Sequence, residues 1–311
     1  MTFANGLTLK EVSTFDSNNS PMKKLKELFT QVKALNYTDG EDVSDLLWQL
    51  ICYSPKMPVR LQSQQLLDEA TSFTLEVDDS HFSHSVLKFN GFIWGNGKRK
   101  VLITHGWGSK AADFSDLITA LRTIENLQIV AFDAPGNGSS EGELSNLLLF
   151  ARATEVVIGT YGASDIMIGH SLGVMANIMA ISETAIKPSL LINITPMVRL
   201  KENFTATMTF AEVPQAAQSK FFESFESLFK VPVSYFKLTD LYTEGAAVKH
   251  WLAYDPGDKV APLEYLQEFL AMHPSVLSKE YAATGHERII KDAGLINDIV
   301  ELVKQGNKQG N

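Results

Sequence analysis

Residues 165–174 have the sequence DIMIGHSLGV. The apolar run 166–168 is typical of a strand buried on both faces, and the residues from Val174 to Ile181 predict a helix. Between them, Gly169–Gly173 fits the G-x-S-x-G pattern of a sharp strand-to-helix turn that presents a nucleophilic serine. Glycines are needed there because neighbouring chain crowds such a turn. Ser171 is therefore a candidate nucleophile, although the motif alone also fits an ordinary glycine-bounded turn.

Outward from this motif, short apolar runs alternate with helical patterns from Phe73 onward. This alternation predicts an α/β fold, with a mostly parallel sheet of about eight strands flanked by helices. The predicted strands span residues 73–77, 85–94, 100–105, 127–132, 165–169, 189–194, 248–254 and 276–281. The predicted helices span residues 112–124, 145–161, 172–184, 262–272 and 287–304. The first two strands are close in sequence, so we expect them to pair antiparallel at one edge.

A helical segment precedes the first strand, over residues 1–71. Apolar residues recur at helical spacing after Pro21, and two further helices are predicted at 42–53 and 59–70, separated by prolines. We expect this segment to pack on the core. Shaping the mouth of a pocket and self-association, which would make the protein a homo-oligomer, stay open as its roles.

A second helical segment, residues 196–245, interrupts the alternation and is rich in phenylalanine. An insertion of this length in a compact domain is usually functional. We predict that it forms a cap over the site, the alternative being a packing element without substrate contact. The core is then predicted at residues 72–195 and 246–311.

The sequence HGWGS at residues 105–109 follows the strand pattern 100–105 directly. Acyl-transfer chemistry needs backbone N–H groups directed at a developing oxyanion. One donor is expected from Leu172, the residue after the serine, and the other from Trp107, where adjacent glycines let the backbone come close. Residues predicted to support the site structurally are His105, Gly106, Gly169, His170 and Gly173.

The acid that orients a catalytic histidine is expected in a tight turn after a later strand. Two carboxylates compete in the sequence DPGDKVAP at residues 255–262. Asp258 lies within the turn and is the preferred candidate, while Asp255 is expected to bond the turn's backbone. Asp133, in DAPGNGSS at residues 133–140, precedes the serine and is expected to be structural.

The candidate base is His286, in GHERII at residues 285–290, on a loop before the last predicted helix. His105 comes too early in the chain order of serine, acid and histidine. His250 falls inside a predicted strand, and His273 precedes Pro274. The pair His81 and His84 has a spacing known from metal sites, but nothing in the sequence completes such a site.

Composition limits the function classes. The net charge of −9 and the sequence pI of about 5.3 argue against broad nucleic-acid contact, which needs clustered basic residues. No apolar run approaches the ~20 residues that span a bilayer. The N-terminus lacks the pattern of a signal peptide, so we expect a cytoplasmic protein. The single cysteine, Cys52, is expected to be a buried thiol.

Taken in order, HGWGS, DAPGNGSS, GHSLG, DPGDKVAP and GHERII resemble the α/β-hydrolase superfamily over residues from about 85 to 304. The resemblance implies the α/β-hydrolase fold, with Ser171 as nucleophile, His286 as base and Asp258 as acid. It further implies an oxyanion hole formed by the Trp107 and Leu172 amides. More narrowly, the chain resembles bacterial α/β-fold hydrolases or acyltransferases with an HGW-type loop. It departs from many relatives where Gly173 is followed by valine instead of a second glycine.

These features predict a serine hydrolase that cleaves a carboxylic ester or thioester of a small to medium apolar acyl or aromatic group. No cofactor or metal is implied, and the expected partner is a small-molecule substrate. The open alternatives are an acyltransferase, a C–C or amide hydrolase with the same triad, a non-catalytic small-molecule receptor, and a scaffold acting through the N-terminal helices. A serine nucleophile counts against epoxide hydrolysis.

Overall fold

The computed structural model describes residues 21–35, 37 and 43–305. Parts of the sequence-based predictions lie outside these residues: 1–20, 36 and 38–42 of the N-terminal segment, which include Asp42 at the start of its second predicted helix, and 306–311 at the end of the core.

Eight strands form one sheet in the order β1-β2-β4-β3-β5-β6-β7-β8. The strands are β1 (Thr71–Asp79), β2 (Ser85–Trp94), β3 (Arg99–Thr104), β4 (Leu127–Phe132), β5 (Ile166–His170), β6 (Leu190–Ile194), β7 (Lys249–Tyr254) and β8 (Leu277–Glu280). Strands β3 to β8 are parallel, and β2 pairs antiparallel with both β1 and β4. The predicted fold class and the antiparallel edge are confirmed.

The described helices are α1 (Pro21–Ala34), α2 (Ser44–Cys52), α3 (Leu61–Asp68), α4 (Ser115–Leu121), α5 (Leu147–Tyr161), α6 (Leu172–Thr184), α7 (Leu200–Phe210), α8 (Gln215–Phe229), α9 (Leu238–Leu241), α10 (Leu263–Met272), α11 (Gly285–Arg288) and α12 (Ala293–Gln305). Short 3₁₀ turns cover Ala111–Phe114, Val233–Tyr235 and Ile289–Lys291. The predicted helix 287–304 is therefore interrupted, with α11 and a 3₁₀ turn preceding α12.

Both faces of the sheet are covered, which explains the continuous apolar runs of its central strands. Alternate residues contribute to two hydrophobic cores: Met167 of β5 faces one, and Ile166 and Ile168 face the other. The first core contains α5 and α6 together with α1, α2 and the helices of residues 196–245. The second contains α3, α4 and α12.

The N-terminal segment divides between these two faces. Helix α3 packs under the sheet, where the Trp94 indole donates to the carbonyl of Leu66 over 2.9 Å. Helices α1 and α2 lie on the opposite face against α7 and α8. There Trp48 of α2 contacts the rings of Phe221 and Phe225 at centroid distances of 4.6 and 5.7 Å.

The phenylalanines of residues 196–245 serve mainly as packing residues. Phe221, Phe225 and Phe236 are buried. They form a cluster with Trp48, so the insertion and the N-terminal helices share one apolar core. This core places α7 next to the carboxyl ends of β5 and β6.

Candidate active site

The turn between β5 and α6 carries Ser171 in a left-handed backbone conformation, with φ at 52° and ψ at −118°. This conformation is unfavourable for any residue with a Cβ atom and persists only where the surroundings impose it. The tight approach of neighbouring chain explains the two glycines of the motif. A Cβ on Gly169 would lie 2.8 Å from the Cα of Val174, and one on Gly173 would lie 2.4 Å from the Thr104 carbonyl oxygen.

Ser171, His286 and Asp258 form one continuous hydrogen-bonded chain. The Ser171 Oγ lies 2.8 Å from His286 Nε2. On the other side of the imidazole, Nδ1 lies 2.6 Å from the Asp258 Oδ2. Nδ1–H donates to the carboxylate, so Nε2 is left to accept the serine proton. The structure thus brings together the three residues that the sequence selected for proton abstraction from a serine.

Asp258 is fixed by its second carboxylate oxygen, Oδ1, which accepts from the amides of Val260 at 2.8 Å and Ala261 at 3.1 Å. Burial raises the pKa of Asp258. The hydrogen bond and charge of His286, with these two amides, outweigh burial and hold that pKa below its usual value. The carboxylate therefore stays ionised beside the imidazole.

Asp255, the competing carboxylate, bonds its own turn and the loop that carries the histidine. Its Oδ1 accepts from the Gly257 amide at 2.8 Å, and its Oδ2 accepts from the Gly285 amide at 2.5 Å and the Thr284 hydroxyl at 3.2 Å. Burial raises the pKa of Asp255, but these hydrogen bonds lower it by more. Asp255 thus connects the two loops by hydrogen bonds, and Asp258 is the carboxylate that bonds the imidazole of His286.

His170, directly before the serine, holds the backbone of the candidate base. Its Nε2 lies 2.9 Å from the His286 carbonyl oxygen. Burial, followed by the nearby His286, lowers the pKa of His170 to about 3. The ring is therefore neutral, and it carries its proton on Nε2, because a carbonyl can only accept.

The loop of HGWGS comes close to the nucleophile. A Cβ on Gly106 would lie 2.9 Å from His170 Nδ1 and 3.0 Å from the Ser171 Cβ. His105 donates from Nδ1 to the Gly106 carbonyl at 2.6 Å and accepts at Nε2 from the Ala134 amide at 2.9 Å. Both of its nitrogens bond backbone, and burial lowers its pKa, so it acts as a neutral brace for the loop.

The two amides predicted as oxyanion donors belong to Trp107, in the HGWGS loop, and to Leu172, after the serine. Leu172 is the first residue of α6, where amides have no acceptor within the helix and the helix dipole favours negative charge. In the loop, the Gly108 amide is engaged by the Asn137 Oδ1 at 3.1 Å. Trp107 and Leu172 line the same cavity.

The DAPGNGSS segment braces this loop with two buried side chains. Asp133 accepts from the amides of Ala111 and Ser139, each at 2.8 Å. Asn137 accepts from Gly108 and, at 2.6 Å, from the Ser54 hydroxyl just beyond α2. Asn137 therefore connects the N-terminal helices to the loop, a link that sequence reasoning missed because an asparagine in a glycine-rich turn usually bonds only its own backbone.

The other candidate histidines and the cysteine lie in other environments. The His250 Nε2 lies 2.6 Å from the Asn193 Nδ2, and the His273 Nε2 lies 3.0 Å from the Thr239 carbonyl. The His81 ring packs on Phe229 at a centroid distance of 4.6 Å. Cys52 is buried, and burial raises the pKa of its thiol.

Trp107 and Leu172 are among the residues that line a cavity of about 490 Å³, a volume that includes the open space at its mouth. Its lining is mostly apolar and comes from three parts of the chain: α1 and α2 with the following Tyr53, the site loops, and α7 with the preceding Met197. The lining residues are Leu25, Phe29, Leu50, Ile51, Tyr53, Trp107, Leu172, Met197, Leu200, Asn203, Phe204 and Thr207.

Only some of the residues that line this cavity could be predicted from the sequence. Met197 of the predicted cap segment lines it, whereas Met208 is fully buried and does not. Of the cap phenylalanines, Phe204 alone is among the lining residues. A role at the pocket mouth was left open for α1 and α2, because the apolar spacing of a helix face is the same whether the face packs in a core or lines a pocket.

An eight-stranded α/β sheet with a serine after β5, an acid after β7 and a histidine after β8 defines the α/β-hydrolase class. A family model described as "Alpha/beta hydrolase family" matches residues 101–294. The chain belongs to this family.

Solved structures with the same fold have low sequence identity. An esterase from Pyrococcus furiosus is 18% identical with a TM-score of 0.56, over 82% of this chain and 97% of that one. Mouse alpha/beta hydrolase domain-containing protein 10 is 14% identical with a TM-score of 0.58, over 77% and 100%. A monoacylglycerol lipase from Paleococcus ferrophilus is 17% identical with a TM-score of 0.52, over 69% and 96%. No curated protein sequence matches.

In the part of the chain that the structure describes, no helix has the length and apolar character needed to cross a membrane. Among the same residues, no group of three or more His, Cys, Asp or Glu side chains is placed to hold a metal ion.

The strained backbone at Ser171 predicts a difference between two variants that both lose the hydroxyl. Ser171→Gly should be more stable than Ser171→Ala by about 1 kcal/mol, because glycine accepts a positive φ without steric cost. Urea unfolding of the two variants measures this difference directly. An alanine variant as stable as the glycine variant would show that the turn is not strained.

The lowered pKa of Asp258 predicts how stability depends on pH. Because the folded-state pKa lies below the usual 3.8, ionised Asp258 stabilises the fold above that pH, and this contribution is lost as the pH falls through the folded-state pKa. The unfolding free energies of wild type and Asp258→Asn should therefore converge below about pH 4. Urea unfolding over a pH series measures this.

Asp45→Asn, at an exposed position of α2, is the control and should differ from wild type by no more than about 0.5 kcal/mol at any pH. An Asp258→Asn difference that stays constant down to about pH 3 would contradict the assigned hydrogen bonds.

Proposed function

We propose that the protein is a serine hydrolase that cleaves a carboxylic ester or thioester through an acyl-enzyme on Ser171. The observation that carries the proposal is the buried hydrogen-bonded chain Ser171–His286–Asp258. The acyl group is small to medium in size and apolar or aromatic, because the cavity lined by Trp107 and Leu172 is mostly apolar.

In the first step, the Ser171 Oγ attacks the carbonyl carbon while His286 Nε2 takes its proton. Asp258 keeps the imidazole in the required tautomer and stabilises the imidazolium that forms. The carbonyl oxygen becomes an oxyanion, which the amides of Trp107 and Leu172 stabilise by hydrogen bonds. The tetrahedral intermediate collapses, the C–O or C–S bond breaks, and His286 returns the proton to the leaving alcohol or thiol.

In the second step, water attacks the acyl-enzyme. His286 takes a proton from this water, the same two amides stabilise the second oxyanion, and the proton then returns to the Ser171 Oγ as the carboxylic acid leaves. His170 is a positioning residue in this scheme, because it bonds the backbone of His286 and its ring lies 5.1 Å, between centroids, from the His286 ring.

The division of the chain follows from the same proposal. Residues 72–195 and 246–311 form the core that carries the reacting groups, and residues 196–245 form the cap beside them. The fold neighbours include an esterase from Pyrococcus furiosus and a monoacylglycerol lipase from Paleococcus ferrophilus. Ester cleavage on the same fold supports the proposed reaction class, whereas the substrate is argued from the cavity alone.

The proposal predicts hydrolysis of p-nitrophenyl acetate, butyrate and octanoate by the wild type. Ser171→Ala should lower kcat by at least ~10³-fold, as expected for loss of a triad member. Ser278→Ala, at an exposed position in β8, is the matched control and should keep wild-type turnover. Equal turnover by Ser171→Ala and wild type would overturn the assignment of the nucleophile.

The two neighbouring carboxylates give a second, matched comparison. Asp258→Asn should lower kcat by about 10⁴-fold, because an amide disturbs the imidazole tautomer. Asp255→Asn removes loop hydrogen bonds only, so its kcat should fall much less while its stability decreases by about 1–3 kcal/mol. Ester kinetics with urea unfolding of both variants measure this. The reverse ranking of kcat would make Asp255 the acid.

A further inference from the structure

The N-terminal helices supply four of the twelve residues that line the apolar cavity. Leu25 and Phe29 come from α1, one helical turn apart, and Leu50 and Ile51 come from α2. The facing side consists of Leu200 and other residues of α7. The cavity therefore lies between the N-terminal helices and the cap, and the candidate oxyanion residues Trp107 and Leu172 also line it.

We propose that α1 and α2 bind the acyl chain of the substrate and set the acyl-chain length that the enzyme accepts. This inference rests on the proposed function, because it assigns a role in the reaction at Ser171. The substrate class is an ester or thioester of an apolar acyl group longer than acetyl. Leu25, Phe29 and Ile51 are specificity-determining residues that contact the chain beyond its first carbons.

The acyl group, rather than the alcohol, is assigned to this cavity by comparison with a second one. A cavity of about 510 Å³ lies on the other side of α7, next to the loop that carries Asp258. Arg199, Glu202 and Lys259 are among its lining residues. An apolar chain loses nothing by leaving water for the first cavity, whereas a polar leaving group keeps hydrogen-bonding partners in the second.

The two helices are held firmly enough to act as a rigid wall. On the cap side, the Trp48 indole donates to the Ser224 hydroxyl at 3.2 Å, and Phe29 packs edge-on against Phe210 at a centroid distance of 5.5 Å. Lys33 of α1 forms an ion pair with Glu212 at 2.6 Å. Aromatic packing over this area restricts the space that an acyl chain can enter.

The wall is also connected to the reacting centre. The Ser54 hydroxyl, two residues beyond α2, donates to Asn137 at 2.6 Å, and Asn137 accepts from the Gly108 amide of the oxyanion loop at 3.1 Å. The Cys52 carbonyl accepts from the Ser145 amide at 2.9 Å. The position of α2 is therefore fixed relative to the loop that contacts the substrate carbonyl.

The test uses one variant that makes the cavity smaller and one that makes it larger, and it measures kcat/KM for a series of p-nitrophenyl esters. Leu25→Phe fills the cavity and should lower the octanoate-to-acetate ratio by at least about tenfold, because each methylene in an apolar pocket is worth about 10–200-fold in specificity. Phe29→Leu enlarges it and should shift the optimum toward longer chains.

Leu28→Phe is the matched control, because Leu28 is equally buried in α1 but does not line the cavity. Its octanoate-to-acetate ratio should equal that of wild type. If folded Leu25→Phe and Phe29→Leu keep the wild-type chain-length profile while hydrolysing acetate, the inference about the helices is wrong and the proposed function stands. If the wild type hydrolyses none of the esters, the proposed function itself fails.

A measurement on the wild type covers the case in which the variants do not fold. Ser171 is labelled with an ethyl or an octyl fluorophosphonate, and hydrogen exchange is compared between the two adducts. The octyl chain should slow amide exchange in residues 21–35 and 43–53 relative to the ethyl adduct. Equal exchange in the two adducts would place the chain elsewhere and overturn the inference.

Discussion

The arrangement depends on one constrained residue, Ser171, held at positive φ between β5 and α6. That conformation directs its hydroxyl toward His286 and sets Leu172 at the start of a helix, so one turn supplies both the candidate nucleophile and an oxyanion donor. The strained conformation is imposed by its surroundings, since β5 is buried throughout and α6 is buried over its first seven residues. The turn needs glycines because a Cβ on Gly173 would clash with the backbone at the end of β3, and one on Gly169 would clash with the backbone of Val174.

The remaining parts of the site are buried side chains that fix loops after parallel strands. Asp255 links the acid loop to the histidine loop, His170 holds the backbone of His286, and Asn137 links the oxyanion loop to the end of α2. Each of these bonds joins segments far apart in the sequence. Because loops at the carboxyl ends of neighbouring strands meet at one edge of the sheet, a few such bonds are enough to position the site.

Much of this could be predicted from the sequence, for identifiable physical reasons. The eight strands followed from apolar runs bounded by turn residues, and the chain order of serine, acid and histidine separated Asp258 from Asp133. The positions at which α1, α2 and α3 pack on the core could not be predicted. Amphipathic spacing shows that a helix face is buried but not which other residues cover it. The structural role of Asn137 was not predicted for a related reason, since its hydrogen-bonding partners Ser54 and Gly108 are distant in sequence.

The central claim is that Ser171 is made nucleophilic by His286, and the most direct measurement is the rate and site of labelling by a fluorophosphonate. Peptide mass mapping should find one adduct, on Ser171, and His286→Ala should slow its formation by about 10³-fold or more. No adduct, an adduct on another residue, or an unchanged labelling rate in His286→Ala would contradict the account.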